Sequence, residues 1–329
     1  MKRLDRKLEA ILAGRGSPEN FIIADAKDGD MGFGLLAPGP SRIPGHEGQF
    51  GTLKDYLKQT RSIIDQDKID ICLLSASNLE RLVAEGAFAD TDVTMAVRTN
   101  DSTDIWNNRN AGYLQQPSRP HRAADLARAR ALGCELGLYS MTFMGNVEDD
   151  LRTLEAFKDF RDDALANDMP YFLEVFNPNT GNTRSIRETG AFVNDCIARS
   201  VAPLMSAERP RFLKIAYGGR ESLRELVNYD DQIVVGILGG SSGTTCDTLT
   251  LLKSSADCGA WVALFGRKIN LSESPLDTVR LMRAVVDGEL PPVEGVHEYH
   301  KALAEKGISP NRSLEDDLKL TDPVLLEEA

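Results

Sequence analysis

The sequence predicts a closed (β/α)8 barrel, eight parallel strands each followed by a helix. Three observations carry that reading. Eight short apolar runs recur along the 329 residues: Phe21–Asp25, Ile69–Ser75, Val93–Thr99, Glu135–Tyr139, Tyr171–Phe176, Arg211–Tyr217, Ile233–Leu238 and Trp261–Phe265. Amphipathic segments rich in Ala, Leu, Glu, Arg and Lys separate them, the alternation that builds parallel sheets covered by helices. No linker or shift in composition divides the chain, so residues 1–329 read as one barrel domain rather than as two ordinary domains or a doubly wound sheet.

The elements follow in order. Residues 3–13 place Leu4, Leu8, Ile11 and Leu12 at helical spacing and end at Gly14 and Gly16, so residues 1–20 supply a helix that closes the bottom of the barrel. The connection after strand one, Ala26 to Gly51, is crowded with glycine and proline, Pro38, Pro40 and Pro44 among them. The connection after strand three, Asn100 to Pro120, holds Trp106, Arg109, Tyr113 and Arg119. Both exceed the usual βα length, and long loops at the top of a barrel commonly act as lids. Helical patterns cover 121–132, 147–166, 186–200, 222–228, 245–258 and 277–287, and residues 309–329 form a peripheral acidic tail, docked or frayed.

At 42% hydrophobic residues the chain can bury a large core. Its net charge of -12 leaves no basic surplus for nucleic acid, yet a small phosphorylated ligand needs only a few local donors. Five cysteines without CxxC spacing point to a reduced, cytoplasmic protein. The start, Met1-Lys2-Arg3-Leu4-Asp5, lacks the apolar segment of a secretory signal, and no run reaches membrane-spanning length. The sequon at Asn311 then has no consequence. An exposed barrel flank leaves room for a symmetric homo-oligomer.

The stretch Arg211 to Gly219 organises the chemistry. An apolar strand carries Lys214 at its centre, and alternation sets Phe212, Lys214 and Ala216 on one face, Leu213 and Ile215 on the other. An amine kept among apolar neighbours loses hydration and becomes available as a nucleophile. The structural alternative is a lysine that only pairs with a buried carboxylate. Charged residues inside other apolar strands are the next candidates: Asp25 and Lys27 on strand one, Glu174 on strand five. If the branched neighbours point outward, Asp25, Glu174 and Lys214 converge inside the barrel as an acid–base set. Taken singly, Asp25 could cap a loop and Glu174 could be a passive counter-ion.

Strand seven runs into Gly239-Gly240-Ser241, followed by a helix start, and strand eight into Gly266-Arg267-Lys268. Glycine backbone N–H groups, helix N-termini and cations at these two turns make a phosphate site of Gly239, Gly240, Ser241, Gly266 and Arg267. None of the four histidines, His46, His121, His297 and His300, falls on a strand end, and the last two read as solvated helix residues. An oxygen-ligand magnesium site from Asp25, Asp28, Asp30 and Glu174 is the metal alternative. Neither a nucleophile elbow nor a dinucleotide fingerprint is present.

These strand-end residues resemble the Schiff-base (class I) aldolases grouped with deoxyribose-phosphate, archaeal-type fructose-bisphosphate and tagatose-1,6-bisphosphate aldolases, from strand one through Ile269. The resemblance implies an imine on Lys214, an acid–base role for Asp25 and Glu174, and a ketose phosphate held by Gly239, Gly240, Gly266 and Arg267. Tyr139 would stand for the strand-four tyrosine of the fructose branch. Glu135 stands near where the tagatose branch carries a lysine, and the Gly-Pro-rich insertion after strand one matches neither branch. The expected activity is carbon–carbon cleavage or formation in a phosphorylated ketose or related sugar phosphate of carbohydrate metabolism. No cofactor beyond the covalent lysine imine is implied. A magnesium-dependent lyase or isomerase and a non-catalytic sugar-phosphate-binding subunit are the alternatives.

Overall fold

The computed structural model describes residues 1–42, 45, 46 and 48–328; Pro44 of the strand-one connection lies outside them. Eight parallel strands close into a barrel: β1 (Ile22–Lys27), β2 (Ile71–Leu74), β3 (Thr94–Arg98), β4 (Leu136–Thr142), β5 (Tyr171–Phe176), β6 (Leu213–Ile215), β7 (Val235–Leu238) and β8 (Val262–Phe265). Closure comes from β8 pairing with β1, with Asp25 opposite Phe265. The fold is therefore the expected (β/α)8 barrel.

Every strand has two apolar faces, because helices cover the outside and side chains fill the inside. The interior is built from Ile22, Ala24, Leu73, Ala96, Leu138, Phe172, Phe212, Val262 and Leu264, with the Phe172 and Phe212 rings stacked at 4.6 Å. Ile23, Cys72, Tyr139, Leu173, Leu213 and Phe265 belong instead to the layer between strands and helices. Close packing at β7 depends on Gly236: a Cβ there would lie 2.5 Å from Val262 Cβ.

The N-terminal helix Arg3–Leu12 plugs the lower end of the barrel, where Leu4 and Leu8 join the interior cluster. Burying these two leucines is worth about 1.5–3 kcal/mol each. Lys7 anchors the plug through Asp70 at 2.9 Å, a carboxylate shared with Arg3 and Arg283.

Most strands and helices fall within about two residues of expectation, and two ends differ by more. β4 continues to Thr142 because it pairs with β5 as far as Phe176. The helix expected from His121 starts at Leu126, where the Asp125 side chain accepts from Arg128 N–H. Pro120–Arg122 instead pairs antiparallel with Asn100–Ser102.

The acidic tail is docked. Two single turns, Leu314–Asp317 and Pro323–Leu326, carry it over the helices that follow β6 and β7. Asp317 accepts from Thr245 N–H at 2.8 Å, and Glu328 accepts from Tyr217 Oη and the Arg220 backbone. His300 is not simply solvated, since its Nε2 meets Asp317 at 3.0 Å, whereas His297 is exposed. All five cysteines are free, and no helix among the described residues is long and apolar enough to cross a membrane.

Candidate active site

A pocket of about 660 Å³ opens at the carboxyl ends of the strands, and Lys214 and Glu174 lie on its floor. Register places them: Glu174 of β5 pairs directly with Lys214 of β6, and both follow a phenylalanine of the interior stack by two residues. Lys214 Nζ lies 2.5 Å from Glu174 Oε1, and the two residues are 6% and 1% exposed. The apolar run around Lys214 thus buries an amine against a carboxylate, inside the barrel, as its alternation requires.

Two further charges complete the floor. Arg98 ends β3 on the interior face. Its guanidinium donates to Asp28 Oδ2 at 3.0 Å, to the Asn100 carbonyl at 3.0 Å and to Ser140 Oγ at 2.5 Å, and it stands 3.7 Å from Glu174 Oε2. Burial alone would lower the Arg98 pKa, but Asp28 and Glu174 hold it above its usual value. Lys214, Glu174, Arg98 and Asp28 form a chain of alternating charge with no net excess.

Three expected site residues face the other way. Ala24 and Ala26 of β1 look inward, so Asp25 and Lys27 sit in the strand–helix layer and do not line the pocket. Lys27 Nζ lies 3.6 Å from Asp25 and donates to Gln59 and Asn270. Desolvation outweighs this lysine and pushes the Asp25 carboxyl up to about 6, while burial lowers Lys27. Tyr139 is likewise outward, stacked on Phe160 at 4.4 Å, and burial raises its phenol. Neither Asp25, Lys27 nor Tyr139 can reach a ligand held above Lys214 without turning a strand over.

The same register separates the four carboxylates considered for magnesium. Asp25 points away, Asp30 accepts from Ser75 and Asn78, and Asp28 is held by Arg98. Only Asp28 and Glu174 share the pocket.

Gly239, Gly240, Gly266 and Arg267 all line the upper wall, the first two at the end of β7, which pairs with the strand bearing Lys214, and the last two at the end of β8, one strand further on. Gly240 turns at φ 65°, a conformation that favours glycine, and Ser241 beyond it is exposed and off the pocket. Gly266 passes close to β1, where a Cβ would meet the Ala26 carbonyl at 3.0 Å. The Arg267 guanidinium rests over the Phe33 ring at 5.5 Å, and burial lowers its pKa.

The two long connections form the rest of the wall. They are tied together where Asn107 N–H donates to the Gly32 carbonyl at 2.7 Å. The second is held to the β5 end by Asn179, which donates to the Gln116 carbonyl.

Sequence reasoning missed Arg98 and gave Asp28 a role only as a metal ligand. The rule that singled out Lys214, a charge in an otherwise apolar strand, applies equally to the last residue of Thr-Met-Ala-Val-Arg.

No protein-family model and no curated protein matches the sequence. Solved structures do match. A fructose-bisphosphate aldolase from Slackia heliotrinireducens aligns over 91% of each chain with a TM-score of 0.65 and 15% identity. An archaeal fructose-1,6-bisphosphate aldolase, solved with its catalytic lysine bound to the carbinolamine intermediate of the substrate, aligns over 86% of this chain and 99% of its own. Its TM-score is 0.63 at 17% identity. A protein from Corynebacterium glutamicum aligns over 87% of this chain and 94% of its own, with a TM-score of 0.60 and 14% identity. The barrel is similar to the barrels of solved Schiff-base-forming and archaeal fructose-1,6-bisphosphate aldolases. At these identities the likeness establishes the fold.

Proposed function

We propose that this protein is a Schiff-base-forming aldolase acting on a phosphorylated ketose or a related sugar phosphate. The observation that carries the reading is the buried Lys214–Glu174 pair at 2.5 Å on the floor of a large pocket, one strand from a glycine-lined anion site. The solved neighbours, one of them with a covalent lysine intermediate, support it. The amine is dry, held in place and open to the pocket.

The chemistry follows from those positions. Glu174 takes a proton from Lys214, and the free amine adds to the substrate carbonyl. Loss of water, with Glu174 returning the proton, leaves a protonated imine. The imine accepts the electron pair of the adjacent carbon–carbon bond as a base removes the hydroxyl proton of the departing aldehyde. Of the pocket carboxylates, Glu174 and Asp28 belong to the charge chain that begins at Lys214 and move the protons, and Arg98 fixes both. Protonation of the enamine and hydrolysis then return the ketone and the lysine. The phosphate rests on Gly239, Gly240, Gly266 and Arg267, and the two long loops limit bulk water.

The test is turnover of a panel of ketose and aldose phosphates, including fructose 1,6-bisphosphate and deoxyribose 5-phosphate. Lys214→Met is expected to lower kcat by about 10⁴ or more, while a chelator leaves it unchanged. Retained activity in Lys214→Met would refute the imine.

A further inference from the structure

On the reading just given, the pocket also defines the chemistry of the substrate. Three cations line it, and two are committed to carboxylates: Lys214 to Glu174, and Arg98 to Asp28. Arg267 alone of the three makes no ion pair among the described residues, and it stands beside Gly239, Gly240 and Gly266. That is provision for one phosphate. Elsewhere the pocket presents Asp28, Asp104 and Glu174 and no further uncommitted cation, so a second dianion would find no counter-charge among the described lining residues. The Asp104 carboxylate accepts from the hydroxyls of Ser102, Ser118 and Thr142.

The rest of the wall is apolar. Leu36, Pro40, Phe50, Ile105, Leu114 and Phe176 line it, the first five from the two long connections. Phe50 is 45% and Leu114 38% exposed, so their side chains contact the pocket without being satisfied by the core. Contiguous exposed apolar surface at the mouth of a site marks what the site binds. The position of the anion end assigns the two halves. Gly239 lies three residues beyond Gly236, which pairs with Lys214. That is roughly 10 Å of strand, within which a lysine side chain reaches upward to a short phosphorylated ketone.

We propose that the substrate carries a single phosphate, on the ketone half bound to Lys214, and that the aldehyde half is phosphate-free and apolar. In the synthetic direction the enamine carbon adds to the aldehyde carbon, the aldehyde oxygen takes a proton, and water releases the ketol from the lysine. No oxidant or further reactant is needed. A second phosphate would meet no uncommitted cation among the described lining residues, and the two long connections supply the specificity.

The experiment uses the full chain with dihydroxyacetone phosphate as donor and three acceptors: 3-phenylpropanal, glycolaldehyde and glyceraldehyde 3-phosphate. The kcat/KM for 3-phenylpropanal should exceed that for glyceraldehyde 3-phosphate by at least about tenfold. Phe50→Ser and Leu114→Ser should each shrink the ratio of 3-phenylpropanal to glycolaldehyde turnover at least about fivefold. Borohydride trapping on the same samples separates the two levels of the argument. An adduct on Lys214 together with a preference for glyceraldehyde 3-phosphate, or ratios unmoved by both variants, overturns the apolar acceptor and leaves the aldolase reading standing. Absence of any adduct overturns both.

Discussion

Replacing Arg98 by methionine keeps the aliphatic stem and deletes the guanidinium that joins the two carboxylates of the pocket floor. The residue is 3% exposed, and its loss removes the 3.0 Å bonds to Asp28 and the Asn100 carbonyl together with the 2.5 Å bond to Ser140. Glu174 Oε2, 3.7 Å away, has no hydrogen-bond partner among the described residues, and the carboxylate would be left with Lys214 as its one remaining ion-pair partner among them. Removing one member of a buried ion pair costs about 3–5 kcal/mol, mostly the penalty of the charge left behind. The unfolding entropy is about 2.1 cal/mol/K per residue, or about 0.7 kcal/mol/K over 329 residues. Tm should therefore fall by about 4–7 °C in scanning calorimetry at neutral pH. Because much of the loss is an orphaned carboxylate, Asp28→Asn in the Arg98→Met background should be milder than the sum of the single changes, with a coupling of about 1–3 kcal/mol. A Tm within about 1 °C of the parent, or simple additivity of the two changes, would refute the charge chain.

Asp25 gives a pH signature. Its folded pKa of about 6 lies above the 3.8 of the unfolded chain, so between these values the folded state holds a proton that the unfolded state has lost. The stabilisation is present below about pH 4 and is lost as pH rises through 6. The Tm of the parent minus that of Asp25→Asn should fall from pH 4 to pH 7.5, and a flat difference would mean that the carboxyl is not desolvated. Asp247 tests the tail. It accepts from Thr244 N–H at 2.9 Å, Thr321 N–H at 2.8 Å and Asp322 N–H at 3.1 Å. Asp247→Ala should lower stability by about 2–4 kcal/mol and expose residues after Thr321 to limited proteolysis. An uncleaved tail would show that its other contacts suffice.

The barrel was legible because its signal is redundant. Eight apolar runs separated by helical patterns leave few topologies, and the helix Val147–Ala166 appears with the bounds that its pattern gave. The floor was legible at Lys214 and Glu174 because each interrupts a run whose other members are unambiguous. Strand one offered no such contrast: Ile22 and Ile23 are equally apolar, and both faces of a parallel barrel strand are buried. The small residues Ala24 and Ala26 were the available clue, since they face a lumen already filled by Phe172 and Phe212. Tyr139 was misplaced for the same reason, one residue from Ser140, which does face the pocket side and meets Arg98. The apolar lining was not legible, because it comes from two irregular connections whose side-chain directions follow no period.

The proposed mechanism requires Lys214 to form an imine with a bound carbonyl, and reductive trapping reads it directly. The protein incubated with dihydroxyacetone phosphate and borohydride, then digested and analysed by mass spectrometry, should carry the reduced adduct on the peptide containing Lys214, and Lys214→Arg should carry none. No adduct from any ketose or aldehyde phosphate, or an adduct that persists at another lysine in Lys214→Arg, would contradict the account.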